Sequence, residues 1–246
     1  MNAIEIRDLT RKFGGTIAVD HLCLDLQQGE LFALLGINGA GKTTIINMLC
    51  GLLRPTSGDA RLLGKSIASE ATSIKGLINL SPQETAVAPN LSVRENLVFM
   101  AGIYGMRRGE ARRAALEMID RLDLSAVAGK RAAALSGGMQ RRLSIAMALI
   151  TRPKILFLDE PTLGLDVLAR RELWRIIRGL RGNITLVLTT HYLEEAEALA
   201  DRIGIMVSGR LTALGSAAEL KAQAGKSNFE EAFIALATRE EEASCD

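Results

Sequence analysis

A glycine-rich segment near the N-terminus constrains the fold more than any other part of the sequence. It reads GINGAGKT from Gly36 to Thr43, follows the apolar run LFALL, and precedes TIINMLC, whose apolar residues recur at helical spacing. Glycines permit a turn whose backbone N–H groups face an anion, and the next helix adds its positive N-terminal end. In this spacing Lys42 reaches the β- and γ-phosphates, and the Thr43 hydroxyl coordinates Mg²⁺. The segment predicts a strand, a phosphate-binding turn and a helix.

A second segment brings two carboxylates to the end of an apolar strand. It reads ILFLDE from Ile155 to Glu160, a continuous apolar run of the kind found in parallel strands buried on both faces. Asp159 at this position holds Mg²⁺ through water, and Glu160 is the natural general base for an attacking water. Beside a phosphate loop, this pair predicts a hydrolytic site.

A third segment, LSGGMQ from Leu135 to Gln140, predicts another anion-binding turn. Ser136 is placed to cap a helix, and the two glycines behind it bring backbone N–H groups to the surface. Two such turns on one chain imply two different nucleotides, or one nucleotide approached from opposite sides of a dimer.

Short strand patterns fill the first third of the chain and return, alternating with helices, after residue 152. Between them, residues 92–152 have helical periodicity, opened by a capping box of Ser92 and Glu95. We therefore expect an α/β core interrupted by a helical insertion. Residues 88–142 hold ten Lys or Arg and five Asp or Glu, whereas the whole chain has a net charge of only +2, which gives no general attraction to nucleic acid.

Other classes of protein are excluded by composition. The three cysteines, Cys23, Cys50 and Cys245, are widely separated and odd in number, so they predict neither a disulfide scaffold nor a metal site. The N-terminus has no apolar signal segment, and no run approaches 18 apolar residues. We expect a protein that does not cross a membrane by itself.

Taken in order, the motifs resemble the ATPase subunit of ABC transporters over essentially the whole chain. They are the phosphate loop, Ser81-Pro-Gln83, LSGGM at 135–139, ILFLDEPTLGLD at 155–166 and His191. Within that family, LSGGMQRR and THYLEEAEALADRIGIM resemble subunits that serve ABC-2 type exporters. Met139, Leu163 and Val167 depart from the commonest pattern, but none of them removes a phosphate-binding or catalytic group.

The resemblance implies an α/β fold with a P-loop NTPase (RecA-like) core, an N-terminal antiparallel β-subdomain and an inserted α-helical subdomain. A single ATPase domain is then expected over residues 1–220, with the core at about 1–86 and 152–215 and the helical subdomain at about 87–151. Residues 221–246 are expected to form a short helical tail with an acidic end.

The resemblance also implies roles for single residues. Phe13 matches the aromatic residue that stacks on adenine, Gln83 matches the glutamine that touches Mg²⁺ and senses the attacking water, and Asp166 lies in the loop at the dimer interface. His191 matches the residue that contacts the γ-phosphate. The expected catalytic residues are Lys42, Gln83, Glu160 and His191, and the expected metal ligands are Thr43, Gln83 and Asp159. The expected nucleotide-binding residues are Phe13, Gly36, Asn38, Gly39, Ala40, Gly41, Lys42, Thr43, Thr44, Ser136, Gly137, Gly138 and Asp166.

The implied function is ATP hydrolysis that drives transport by a separately encoded integral-membrane permease. The implied cofactors are ATP and Mg²⁺, the implied partners are that permease and a second ATPase subunit, with a homodimer favoured, and no nucleic acid is expected. The implied location is the cytoplasmic face of the cell membrane. Export of a drug-like, lipid-like or polysaccharide substrate is favoured. A soluble ABC-superfamily ATPase and an importer ATPase stay open as alternatives.

Overall fold

The computed structural model describes residues 1–243, with side chains for residues 1–238. Its strands are β1 (Asn2–Phe13), β2 (Thr16–Gln27), β3 (Leu31–Leu35), β4 (Ser57–Leu62), β5 (Lys65–Ser66), β6 (Ile78–Ser81), β7 (Ile155–Asp159), β8 (Thr185–Thr190), β9 (Arg202–Val207) and β10 (Arg210–Gly215). Its α-helices are α1 (Lys42–Leu49), α2 (Ala71–Ile74), α3 (Val93–Ile103), α4 (Arg108–Arg121), α5 (Gly137–Leu149), α6 (Val167–Arg178), α7 (Leu193–Leu199), α8 (Ala217–Ala224) and α9 (Phe229–Ala243).

Contacts divide the chain into two compact units. The first unit combines Met1–Lys75 with the described residues from Arg181 onward, and the second unit is Gly76–Leu180. These limits differ from the predicted core, helical subdomain and tail, whose boundaries stay a prediction. The acidic end of the predicted tail, residues 240–246, lies outside the residues whose side chains are described.

The first unit contains an antiparallel sheet and four strands of a mostly parallel sheet. The antiparallel strands run in the order β2-β1-β4-β5, which confirms the predicted N-terminal antiparallel β-subdomain. In the other sheet β3 lies between β8 and β9 and is parallel to both, and β10 returns antiparallel to β9. Every residue of β3 and β8 is buried, as continuous apolar runs in a covered parallel sheet require.

A tight hairpin joins β9 to β10 at Ser208-Gly209. Both residues have positive φ, 47° at Ser208 and 85° at Gly209, and Val207 pairs with Arg210 across the turn. Two consecutive left-handed residues match the right-handed twist of the flanking strands, which is why Gly is favoured there.

The second unit is built around helix α5. This helix packs on the parallel pair β6 and β7 and contacts α3, α4 and α6. Its residues 141–149 are all buried, and from Leu143 onward Ser144 is the only polar residue among them. One face of α4 is buried and apolar, with Ala115, Met118, Ile119 and the adjacent Leu122 all buried, as the helical periodicity of residues 92–152 requires.

Local signals place the ends of these helices. The predicted capping box at the start of α3 is confirmed: the Ser92 hydroxyl accepts from the Glu95 N–H, and the Glu95 carboxylate accepts from the Ser92 N–H. The Glu95 carboxylate accepts from both the N–H and the hydroxyl of Ser92, and these two hydrogen bonds hold its pKa below the ordinary value. Among the described residues, none of the helices combines the length and apolar character needed to cross a bilayer.

Asn96, on the buried face of α3, organises the preceding loop. Its Oδ1 accepts from the Ala88 N–H at 2.8 Å, and its Nδ2 donates to the carbonyls of Ala88, Leu91 and Ser92 at 3.1, 3.2 and 3.0 Å. The side chain is fully buried, so water cannot replace these bonds when the amide is removed.

Replacement of Asn96 by Ala is expected to lower the free energy of unfolding by about 1–3 kcal/mol, because it leaves buried backbone groups without partners. Urea denaturation followed by circular dichroism measures the change. Arg94→Ala, at an exposed position on the same helix, is the control and should stay within about 0.5 kcal/mol of the wild type. Equal midpoints for the two variants would contradict this role for Asn96.

Candidate functional site

The phosphate loop of the first unit joins β3 to α1, as predicted, and two of its glycines, Gly36 and Gly41, sit where no side chain fits. A Cβ on Gly36 would lie 2.5 Å from the carbonyl oxygen of Met206, and a Cβ on Gly41 would lie 2.3 Å from that of Ala18. Gly39 and Gly41 also have left-handed φ values of 86° and 99°. The loop is therefore a backbone cradle of fixed shape, which is what anion binding through N–H groups requires.

The hairpin turn between β9 and β10 is hydrogen-bonded to this cradle and braces it. The Gly209 N–H donates to the Ala40 carbonyl at 3.2 Å, and the Gly209 carbonyl accepts from the Asp20 N–H at 2.9 Å. The Asp20 carboxylate also accepts from Arg210 and from the ring of His21, and these bonds, the His21 bond first, lower the pKa of Asp20. No short-range pattern predicts this brace, because it depends on how β2 packs against the hairpin.

Lys42 and His191 both lie at the edge of the sheet that carries the phosphate loop. The Lys42 ammonium is buried and donates to the carbonyls of Gly36 and Ile37 at 2.6 and 3.1 Å, so it is folded over the loop. His191 directly follows β8, and the Thr190 carbonyl before it accepts from the Gly36 N–H at 3.3 Å. The first unit thus places Lys42 on the phosphate-binding turn and His191 directly after the residue that is bonded to that turn.

Phe13 lies at the end of β1 and is exposed, with 47% of its surface accessible. It is therefore not a core residue. The Arg11 guanidinium covers its ring at 4.4 Å from the centroid. Phe13 pairs with Thr16, two residues before the Ala18 that packs against Gly41. This places a partly exposed aromatic ring, one face of which Arg11 covers, on the strand pair that supports the phosphate loop.

In the second unit, the two predicted carboxylates lie at the end of β7: Asp159 is its last residue and Glu160 follows directly. Asp159 and Glu160 are both buried, with 4% and 5% of their surfaces accessible. Glu160 has a φ of 47°, a left-handed conformation that a residue with a Cβ adopts at a cost of about 1–2 kcal/mol. The strained turn is completed by the Leu163 N–H, which donates to the Glu160 carbonyl at 3.2 Å. Strained conformations of this kind occur at functional sites, and this one turns the chain sharply directly after β7.

Gln83 leaves the same sheet edge as these carboxylates. It follows β6, which is parallel to β7 with Ser81 opposite Leu158, so the chain after Ser81 and the chain after Asp159 emerge side by side. The side chain of Gln83 is exposed. The backbone of this segment is held by Arg141, a residue for which sequence reasoning found no role.

The LSGG turn opens α5, and its predicted cap is confirmed. The Ser136 hydroxyl accepts from the Met139 N–H. A Cβ on Gly138 would lie 3.0 Å from the Cβ of Ala169, so this turn packs closely on the start of α6. Asp166 caps α6 by accepting from Leu168 and Ala169, each at 2.9 Å. A groove of about 510 Å³ opens between Ser136, Gly138 and Asp166.

Comparison with known proteins assigns the chain. The model of the ABC transporter family matches residues 19–163, which is more than half of the chain. The chain belongs to the ABC transporter family of ATP-binding cassettes. Its P-loop NTPase fold and its ATPase class follow from that membership, and ATP is the nucleotide of the family.

Relatives with drug-resistance names are among the most similar proteins. The cassette is 43% identical to the daunorubicin/doxorubicin resistance ATP-binding protein DrrA of Streptomyces peucetius, over 91% of this chain and 68% of DrrA. It is 40% identical to the probable multidrug ABC transporter ATP-binding protein YbhF of Escherichia coli, over 95% of this chain but only 41% of YbhF. It also resembles a dimeric ATP-binding cassette in a post-hydrolysis state bound to ADP and Pi, with 27% identity and a TM-score of 0.77, covering 87% of this chain and 98% of that chain.

A methyl group added at Gly41 tests the rigid cradle. Gly41→Ala meets both the positive φ and the Ala18 carbonyl, whereas Gly39→Ala meets the positive φ alone, with no atom within 4 Å of its Cβ. We expect Gly41→Ala to lower the free energy of unfolding by about 1–3 kcal/mol more than Gly39→Ala does. Chemical denaturation of both variants measures this difference, and equal losses would show that the Ala18 contact does not constrain the loop.

Proposed function

We propose that the cassette hydrolyses ATP to drive export through a separate membrane permease, from the cytoplasmic face of the membrane. The braced glycine cradle, with Lys42 folded over it and His191 beside it, is the observation that carries the ATP chemistry. Export is supported by the similarity to DrrA and YbhF, whose names refer to drug resistance and multidrug transport. Substrate contacts in such a transporter are made by the permease, so the substrate class is proposed as drug-like, lipid-like or polysaccharide.

The first unit supplies the nucleotide-binding groups of this proposal. The phosphate loop from Gly36 to Thr44 surrounds the phosphates with backbone N–H groups beyond Gly36, whose own N–H is bonded to the Thr190 carbonyl. Lys42 and His191 contact the γ-phosphate. Phe13 stacks its ring on adenine in an offset contact, which requires only an aromatic face. The exposure of this ring is what the role requires.

The second unit supplies the hydrolytic groups. Glu160 takes a proton from the attacking water, and Gln83 orients that water. The carboxylates of Asp159 and Glu160, the amide of Gln83 and the hydroxyl of Thr43 each supply hard oxygen donors of the kind that Mg²⁺ prefers. Asp159, Gln83 and Thr43 would hold the ion, which when bound neutralises charge on the β- and γ-phosphates.

A second copy of the chain completes the proposal. The Ser136-Gly137-Gly138 turn is an anion-binding helix start in the second unit, separate in sequence and in unit from the phosphate loop. We propose that it contacts the γ-phosphate of the nucleotide held by a partner subunit, with Asp166 at the interface. Exposed apolar side chains at Val167 and Leu168, which follow Asp166 and are 62% and 79% accessible, support an interface there.

Removal of the proposed general base is the direct test of the chemistry. Glu160→Gln should keep ATP binding but lower kcat by about 10²–10⁴-fold, since the amide cannot accept the proton from water. Phosphate release and fluorescent ATP binding measure the two properties. The control is Glu110→Gln, at an exposed position on α4, which should turn over at the wild-type rate. A Glu160→Gln variant with wild-type turnover would remove Glu160 from the mechanism.

The permease is tested by isolating what the cassette binds in cells. Tagged Glu160→Gln protein, purified from its native cells in mild detergent and analysed by mass spectrometry, is expected to retain a multi-span membrane protein. That partner would also distinguish an exporter from an importer. Recovery of soluble partners or nucleic acid alone would favour a soluble ABC-superfamily ATPase and would remove the permease from the account.

A further inference from the structure

Arg141 is a buried cation with an unusual set of partners. It lies in the second turn of α5 and only 4% of its surface is accessible. Its Nη1 donates to the Pro82 carbonyl at 2.6 Å, and its Nη2 donates to the Gln83 carbonyl at 2.5 Å. One rigid guanidinium therefore clamps two consecutive carbonyls of the segment that carries Gln83.

This clamp depends on the planar shape of the arginine head group. Two donors held in a fixed fork meet two acceptors at once, whereas a lysine ammonium is a point charge that cannot reproduce the pair. Burying a cation costs free energy that a well-packed apolar side chain would not. The residue at 141 is thus better suited to orienting the loop than to filling the core.

A second polar contact fixes the same face of the helix to the same strand. The hydroxyls of Ser144 and Ser81 lie 3.0 Å apart and both residues are buried. Ser144 is three residues after Arg141, so the two side chains project from neighbouring positions on one helix face. Together these contacts attach α5 to the end of β6 and to the loop beyond it.

The other end of this attachment is the LSGG turn. Ser136 caps α5 five residues before Arg141, about 7.5 Å along the helix axis at the rise of an α-helix. A helix turn and a half is a rigid spacer. The Gln83 segment and the Ser136 turn are therefore parts of one body within the second unit, and Arg141 is the joint between them.

We propose that Arg141 is a positioning residue that couples the two ATP sites of the dimer. This inference rests on the proposed function, in which Gln83 serves the nucleotide of its own subunit and Ser136 serves that of the partner. Displacement of Gln83 on ATP binding or hydrolysis is then carried through the Arg141 clamp to the Ser136 turn, and the reverse holds by linkage. Without the clamp, each site responds to its own nucleotide alone.

The test measures cooperativity and affinity in the same variants. Wild-type ATPase activity is expected to rise with a Hill coefficient approaching 2, the number of sites, and Arg141→Met to lower it to about 1. The kcat of Arg141→Met should fall about tenfold through misplacement of Gln83, with fluorescent ATP affinity unchanged because the phosphate loop is untouched. Arg141→Lys, which keeps the charge but not the fork, should give intermediate cooperativity.

A matched control separates this role from a structural one. Arg175→Met removes an exposed arginine of the same unit that pairs with Asp123, and it should keep the wild-type Hill coefficient. Thermal denaturation establishes that each variant is folded, and where Arg141→Met does not fold, Arg141→Lys decides. Wild-type cooperativity in a folded Arg141 variant, or a Hill coefficient of 1 in the wild-type chain, would overturn the coupling alone. Absence of any wild-type ATPase activity would overturn the proposed function as well.

Discussion

Close packing of backbone against backbone holds the phosphate loop in shape, and the chemistry of the first unit depends on it. Gly36 packs against the carbonyl of Met206 and Gly41 against that of Ala18, so closely that neither position has room for a Cβ. The loop is therefore supported on two sides, by β9 and by β2. A cradle of this rigidity presents its N–H groups without reorganisation, which is the form in which backbone dipoles stabilise a phosphate most effectively.

In the second unit, by contrast, the structure holds buried polar groups in fixed positions. The carboxylates of Asp159 and Glu160 are placed by a fully buried strand, and the segment bearing Gln83 is held by the Arg141 guanidinium. Both devices fix the backbone rather than the reacting side chain. The exposed amide of Gln83 is thus free to meet a nucleotide while its carbonyl is already bonded to α5.

Local motifs explain most of what could be predicted. The runs of β3 and β7, the cap at Ser136 and the turn at Ser208-Gly209 each carry a short-range signal that tertiary packing does not override. Glycine spacing and a doublet of acids likewise identify a phosphate site without knowledge of the fold. The resemblance added Phe13, Gln83 and His191, whose isolated positions have no local signal.

Features that depend on packing between residues far apart in the chain could not be predicted from the sequence. Arg141 stands in a basic stretch that favours a solvated helix face, yet it is buried because the loop after β6 covers it. The hydrogen bond from Gly209 to the phosphate loop joins residues far apart in the chain. The resemblance implies that Asp166 lies at an interface. The structure shows in addition that its carboxylate caps α6.

The central claim is that the Ser136 turn acts on the nucleotide of a partner subunit, and sedimentation velocity tests it most directly. Glu160→Gln is predicted to sediment as a monomer without nucleotide and as a dimer with ATP and Mg²⁺. Adding Ser136→Asp, which keeps a good helix cap but opposes phosphate with a negative charge, is predicted to leave ATP binding intact and abolish the dimer. A Glu160→Gln protein that stays monomeric with bound ATP, or a dimer indifferent to Ser136→Asp, would contradict the account.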